Sequence, residues 1–427
     1  MKKYLILLFL AVLASCTKDL PDDLFSADGR YSMTVQASKE GTKALGLSGS
    51  TLNATWAKDE EVSVYNVTKG AALSGTLKAQ SSGSSTTLKG ELTGTIEPND
   101  ELTLKFLSPN YSSQTGTLAY IAANCDYAEA TIHVKSISGG NITIKESSAS
   151  FVNQQAIVKF TLKNNSNTAI SATALTVSAT NPAVLDANHC YSVTYSYTVT
   201  PTSAASEFYV AVPGISEQTL NLTATVGSDT YVYQKSGKSF TNGQYYEIAV
   251  KMPKLYPASN ITFLRGRTGA STGGNEGMGN LLDGNKSNKW CSLYYGPATY
   301  PIRVSNYQSG IKDQVIWKTA SGIILTNYML TTGGDSYRTS PNRRNWKSWT
   351  IYGANFSSDN EATIDAVGWT KIQQITDDNV LQDVNHTDFW FSIPGNNTAY
   401  QYYRIVIDEI KDDCNIHQMS EMTLFTK

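Results

Sequence analysis

The chain is poor in the residues that most chemistry needs. Its 427 residues include four histidines and five cysteines, and charged residues make up only 16% of it. His133, His189, His386 and His417 have no Ser, Cys or carboxylate at a spacing that marks nucleophilic catalysis, so they read as surface or hydrogen-bonded core residues. No Cys or His cluster has metal-ligand spacing, which removes a transition-metal centre from the legible motifs. A formal net charge of −2 without a long basic run leaves no electrostatic footprint for nucleic acid or for an anionic bilayer surface. Beyond Leu13 no apolar run is long enough to cross a bilayer as a helix, and no stretch keeps a helical period over three turns. The glycines between Gly266 and Gly279 follow no strand leading into a helix, so they read as a loop and not as a phosphate cradle. The acid pairs Asp377-Asp378 and Asp412-Asp413 sit in polar turns, and adjacency in sequence says nothing of the spatial separation a glycosidase pair requires. With no catalytic constellation in view, the chain is expected to bind rather than to catalyse. A hydrolase with an unrecognised site remains the third alternative, behind the two binding roles below.

What is present begins at the N-terminus. Lys2 and Lys3 precede an apolar run from Tyr4 to Leu13, followed by Leu13-Ala14-Ser15-Cys16. The run is too short to span a bilayer and ends at small residues, the pattern of an export signal. Leu-Ala-Ser-Cys resembles the bacterial lipobox, which implies a lipoprotein signal peptide over 1–16, lipid attachment at Cys16, and no other contact with membrane. The following Thr17-Lys18-Asp19-Leu20-Pro21-Asp22-Asp23 resembles the surface-export signal of Bacteroidetes lipoproteins, within a linker over 17–29. The resemblance implies an outer-membrane location with exposure at the cell surface.

The body alternates apolar and polar residues, as in Glu61–Val67, Glu101–Leu107 and Ala156–Leu162, and the breaks are Ser-Gly, Pro-Asn and Asn-Asn clusters. These are half-buried strands joined by turns, so the fold class is all-β, built as sandwiches. Tyr245–Met252 reads as a closing strand, and Pro253-Lys254-Leu255-Tyr256-Pro257 as a stiff connection between domains. Tryptophan usage changes there too, since Trp56 is the only one before Trp290. Residues 30–252 resemble the fimbrillin-like proteins of Bacteroidetes through Thr42–Leu45, Trp56–Tyr65, Phe151–Leu162 and the closing strand. That resemblance implies two transthyretin-like sandwiches, 30–147 and 148–252, and possible pilus subunits as partners.

Residues 257–427 carry a second resemblance. Asn280-Leu281-Leu282-Asp283-Gly284-Asn285-Lys286-Ser287-Asn288-Lys289-Trp290, Lys347–Asn355, Trp369–Ile372, Tyr400–Ile407 and Gln418-Met419-Ser420-Glu421 are similar, in order, to the F5/8 type C, or discoidin-like, jelly-roll family. Many carbohydrate-binding modules belong to it. Asp283, Asn288 and Glu421 offer hard oxygen donors, which suit Ca²⁺. The resemblance implies a structural Ca²⁺ at these three residues with main-chain carbonyls completing the shell, although Asn285 and Asn288 stand where the family has Asp and Thr.

For the ligand, the segment Gly333–Trp346 crowds aromatic and guanidinium side chains where no strand pattern explains them. Tyr337 and Trp346 offer faces for a pyranose, and Asp335, Arg338 and Arg343 offer planar polar groups, with Tyr295 in Tyr294–Tyr300 as a further platform. The alternative is structural: Arg344 clamps Asp335, and Trp346 packs on the sandwich. Trp290, Trp349 and Trp369 lie on strand patterns and are expected in the core. Cys125, Cys190, Cys291 and Cys414 are either bridged, with Cys291–Cys414 the pair considered, or buried free thiols. The chain is therefore expected to be a surface lipoprotein that binds glycan; the alternative is a pilus-associated adhesin that binds a protein or assembles into a filament.

Overall fold

The computed structural model describes residues 29–40, 46–48, 51–53, 55–266, 276–293, 313–360, 368–412 and 416–427. Cys16 with its signal segment, the loop containing Tyr295, and Cys414 lie outside the described residues. Among those described, one α-helix occurs, the seven-residue Leu118–Asn124, capped by the Thr117 hydroxyl accepting from Tyr120 N at 3.2 Å. The remaining regular structure is strands and short 3₁₀ turns, so the all-β reading holds.

The chain forms two compact units. The first runs to Pro109 and includes Asp126–Gln154, so the unit changes slightly beyond the expected break at 147/148. Its hydrogen bonding passes from Arg30–Glu40 through Ala149–Asn153, Ala128–Ser138, Glu101–Phe106, Glu61–Asn66, Leu77–Ala79 and Ser85–Thr93 back to Arg30–Glu40. The sheet thus closes on itself, and the first strand is paired on both sides. Trp56 anchors the core edge-on to Phe106 and Phe151, and the buried Lys39 ammonium lies 3.8 Å from the Trp56 ring centre and 3.3 Å from Glu60. Burying that charge is tolerable because both a carboxylate and π faces meet it.

The second unit comprises Asn110–Cys125 and Gln155–Lys427. Its middle part is a sandwich. A four-stranded antiparallel layer (Tyr191–Val199, Ala174–Leu185, Ile215–Val226, Asp229–Phe240) faces a three-stranded one (Glu207–Val212, Ala156–Lys163, Tyr245–Lys251). Along Ile215–Val226, Leu220, Leu222 and Ala224 point into the core while Thr219, Asn221 and Thr223 point away. This is the period of two read from the sequence.

The prolyl connection is not a free linker. Lys254–Leu255 forms a two-residue strand that pairs through Tyr231 with Asp229–Phe240 and through Thr426 and Phe425 with Glu421–Thr426. One eight-stranded sheet therefore runs from the middle sandwich into the C-terminal one, ending with Leu325–Thr331 and Asp388–Ser392. The opposing C-terminal layer is Ile261–Gly266, Gln314–Ile323, Tyr400–Ile410, Trp346–Ala354 and Thr370–Ile375. Between the layers lie Trp290, Trp317, Trp346, Trp349, Tyr328 and Phe391. Trp369 departs from expectation: it is half-buried just ahead of Thr370–Ile375, edge-on to Phe356, with the Arg404 guanidinium 4.8 Å from its ring. Because the sheet is shared, a fragment of residues 257–427 exposes the edge of Glu421–Thr426 that Lys254–Leu255 covers. We expect the second unit, within residues 17–427, to unfold in one transition and the isolated 257–427 fragment to melt lower or scatter light. Equal melting temperatures would contradict the continuity.

Candidate functional site

The strand Trp290–Leu293 pairs antiparallel with Ile416–Met419, setting Trp290 opposite Met419. The turn preceding the one strand is thereby carried to Ser420 and Glu421 at the end of the other. The turn starts at Asp283, which closes a 3₁₀ helix, and passes through Gly284 at φ +78°. A Cβ at Gly284 would both be strained there and lie 3.0 Å from the Ala258 methyl, so glycine is required. Asp283 accepts from Asn285 N and from Asn288 Nδ2, each at 2.8 Å. The second bond orients the Asn288 amide and leaves its Oδ1 as a buried acceptor with no donor. Glu421, 3% exposed, likewise has Oε2 buried and unmatched. Burial, then the Asp283 charge, pushes the Glu421 carboxyl up to about 8, against partial relief from the Gly284 and Met422 amides. Buried acceptors without donors, beside two carboxylates that repel each other, are groups that a cation could satisfy. Among the described residues no three His, Cys, Asp or Glu side chains converge as a metal cluster, so a cation here would draw on Asn288 Oδ1 and main-chain carbonyls as well as the two acids. That all-oxygen set fits a hard cation.

The Gly333–Trp346 segment is braced from within. Asp335 receives Lys289 Nζ at 2.7 Å, Arg338 Nη2 at 3.0 Å and Arg344 Nη1 at 3.5 Å, and Arg338 Nε also bonds the Asp335 carbonyl at 2.9 Å. Burial works to raise the Asp335 carboxyl, yet the Lys289 and Arg338 cations outweigh it and hold it at about 2. Arg343 forks onto Asp412 through Nε at 3.0 Å and Nη2 at 2.8 Å, and its backbone N–H bonds the same carboxylate at 2.8 Å. These guanidinium groups are thus engaged in holding the loop, including the Arg344 clamp weighed as the alternative. Trp346 is corrected outright. It is fully buried, donates its indole N–H to His417 Nδ1 at 3.2 Å, and has no face to offer a sugar. His417 in turn meets Asp313 at 2.9 Å, a hydrogen-bonded core histidine.

Tyr337 remains 47% exposed. Its N–H donates to Asn385 at 2.8 Å, and its ring stacks on His189 at 4.0 Å, a partner on the middle sandwich that sequence reasoning missed. Between the Asp283 turn and the loop lies a concavity of about 280 Å³ lined by Ser287, Asn288, Lys289, Gly334, Asp335 and His386. Lys289, although it stands in the 280–290 motif, and His386 were likewise not singled out from sequence, because their partners across the concavity lie far along the chain. Among the described residues, Cys125, Cys190 and Cys291 form no disulfide.

No family model and no curated protein matches the chain. Solved structures similar to it include a CBM32 module from a family 31 glycoside hydrolase of Clostridium perfringens, at 14% identity over 40% of this chain and 95% of that one, with TM-score 0.28. An F5/8 type C domain from Bacteroides fragilis gives 14% identity, 40% and 95% coverage, and TM-score 0.27. A family 32 carbohydrate-binding module of EndoD from Streptococcus pneumoniae gives 13%, 39% and 96%, and 0.25.

Proposed function

We propose that this chain is a surface lipoprotein whose second unit binds glycan, with a structural Ca²⁺ held by Asp283, Asn288 and Glu421 beside the site. The observation that carries the glycan reading is the polar concavity where the Asp283 turn meets the braced loop, with half-exposed Tyr337 two residues beyond Asp335. Convergent polar groups on a rigid frame, next to an exposed aromatic face, are the chemistry sugars require. The similarity of the 280–290 and 418–421 motifs to discoidin-like modules supports the same reading. Calcium would neutralise the Asp283 and Glu421 pair and fix the turn; Lys289, reaching from that turn to Asp335, passes the fixed position to the loop. A lipid on Cys16 is the proposed anchor, placing the protein at the outer membrane with its body outside.

For the glycan site, Tyr337→Ala should weaken retardation of residues 17–427 in gels containing a bound polysaccharide. Unchanged retardation would remove Tyr337 from the site. For the anchor, Cys16→Ala should move the protein from the membrane fraction to the soluble one, and wild-type protein carrying residues upstream of Cys16 would contradict it.

A further inference from the structure

The junction of the middle and C-terminal sandwiches holds a cleft of about 1420 Å³, several times the concavity above and larger than the roughly 300–1,000 Å³ of small-ligand pockets. Its floor is the outward face of the shared sheet. Ser178, Asn221 and Gln234 stand opposite one another on three adjacent strands, with Thr176 and Thr223 in the next row. These side chains form a connected surface: Gln234 Nε2 donates to Asn221 Oδ1 at 2.9 Å and to the Asp388 carbonyl at 3.3 Å, across the junction, and Asn221 Nδ2 donates to Thr180 Oγ1 at 3.3 Å. Half-buried Tyr191 and Trp390 supply aromatic faces at the wall.

Packed domains ordinarily close such a gap to interior density. Here the walls are held apart at two places. On one side the Lys254–Leu255 strand joins the sheets, and on the other the turn at Asp186–Cys190 is tied down by Asn385 Nδ2 donating to Asn188 O at 2.8 Å and by the His189–Tyr337 stack. The charges at the rim are largely cancelled. Lys286 meets Asp388 at 2.6 Å, and Asp186, whose carboxylate accepts from Asn188 and Cys190 N–H at 2.8 and 3.0 Å, is offset in sign by Lys235 on the same lining. A braced cleft with a hydroxyl and amide floor, aromatic walls and little net charge selects an extended, uncharged, hydroxyl-rich chain.

We infer that this cleft is a second binding site, which takes a neutral polysaccharide along the shared sheet. The inference rests on the glycan reading but not on the Tyr337 site. Its test uses residues 17–427 in gels containing galactomannan, xyloglucan or soluble starch. Thr223→Trp and Ser178→Trp place an indole in the cleft from positions that face away from the core, and unchanged melting temperatures certify their folds. Either is expected to weaken binding of a retarding polysaccharide about tenfold. The same polysaccharide should slow iodoacetamide alkylation of Cys190, whose thiol lines the cleft, while leaving Cys291 unaffected. If both folded variants bind as wild type and Cys190 stays unprotected while Tyr337→Ala abolishes binding, the cleft inference falls and the first site stands. If only the tryptophan variants lose binding, the cleft stands and the Tyr337 site falls. If no polysaccharide retards the wild type, both fall together.

Discussion

Trp346→Ala should lower the unfolding free energy of the second unit by about 3–5 kcal/mol, the cost of truncating a fully buried tryptophan. Trp346 packs against Trp290 and Trp349 with ring centres 6.0 Å away in each case, and its N–H is a donor to the buried His417. Removing it leaves a cavity among rigid rings that cannot collapse into the space, and takes one hydrogen bond from the buried His417–Asp313 pair. Denaturant unfolding with Trp→Ala and Trp→Phe variants checks this. A cost under about 1 kcal/mol would mean that Trp346 is exposed in solution, and would return it to the candidate ligand surface.

Chelation is the second large effect. A cation bound by the folded state alone stabilises by mass action, about 2.7 kcal/mol at a hundred times its dissociation constant. EGTA should therefore lower the melting temperature of the wild type. The sign of the pH dependence without metal follows from Glu421, whose carboxyl rises from 4.5 to about 8 in the folded chain. A carboxyl raised by folding contributes stability in full below its unfolded value, and that contribution is lost as pH climbs through about 8. Glu421→Gln keeps the neutral form throughout. In EGTA at pH 9 the variant should then melt above the wild type, whereas in calcium the order should reverse. Wild-type curves that coincide with and without chelator at that pH would sink the cation.

The strands were largely legible, because alternation is a local signal: Ala156–Leu162 was expected and Ala156–Lys163 is observed. Asp283, Asn288 and Glu421 could be singled out because the first two share a turn and the third opens a strand after its own Ser-Glu motif, and the structure brings them together. What escaped depends on long-range pairing. Lys254–Leu255 is too short to show a period, so a strand that joins two sandwiches reads as a linker. Trp346 opens a strand directly after a polar loop, and only the pairing of Trp346–Ala354 with Tyr400–Ile410 decides that its ring turns inward. Arg343 looked free to grip a ligand because Asp412, its partner, lies far along the chain. The closed ring of the first unit was hidden for the same reason. It bears on the alternative of filament assembly, since an incoming strand would have to displace Arg30–Glu40, which is already paired on both sides.

The measurement that most directly tests the account is an array of immobilised glycans probed with residues 17–427 in the presence of calcium, with the Tyr337→Ala and Thr223→Trp chains alongside. The account predicts retention of the wild type on at least one uncharged glycan and weaker signal from each variant. No retention on any glycan, by a protein shown to be folded and calcium-loaded, would contradict it.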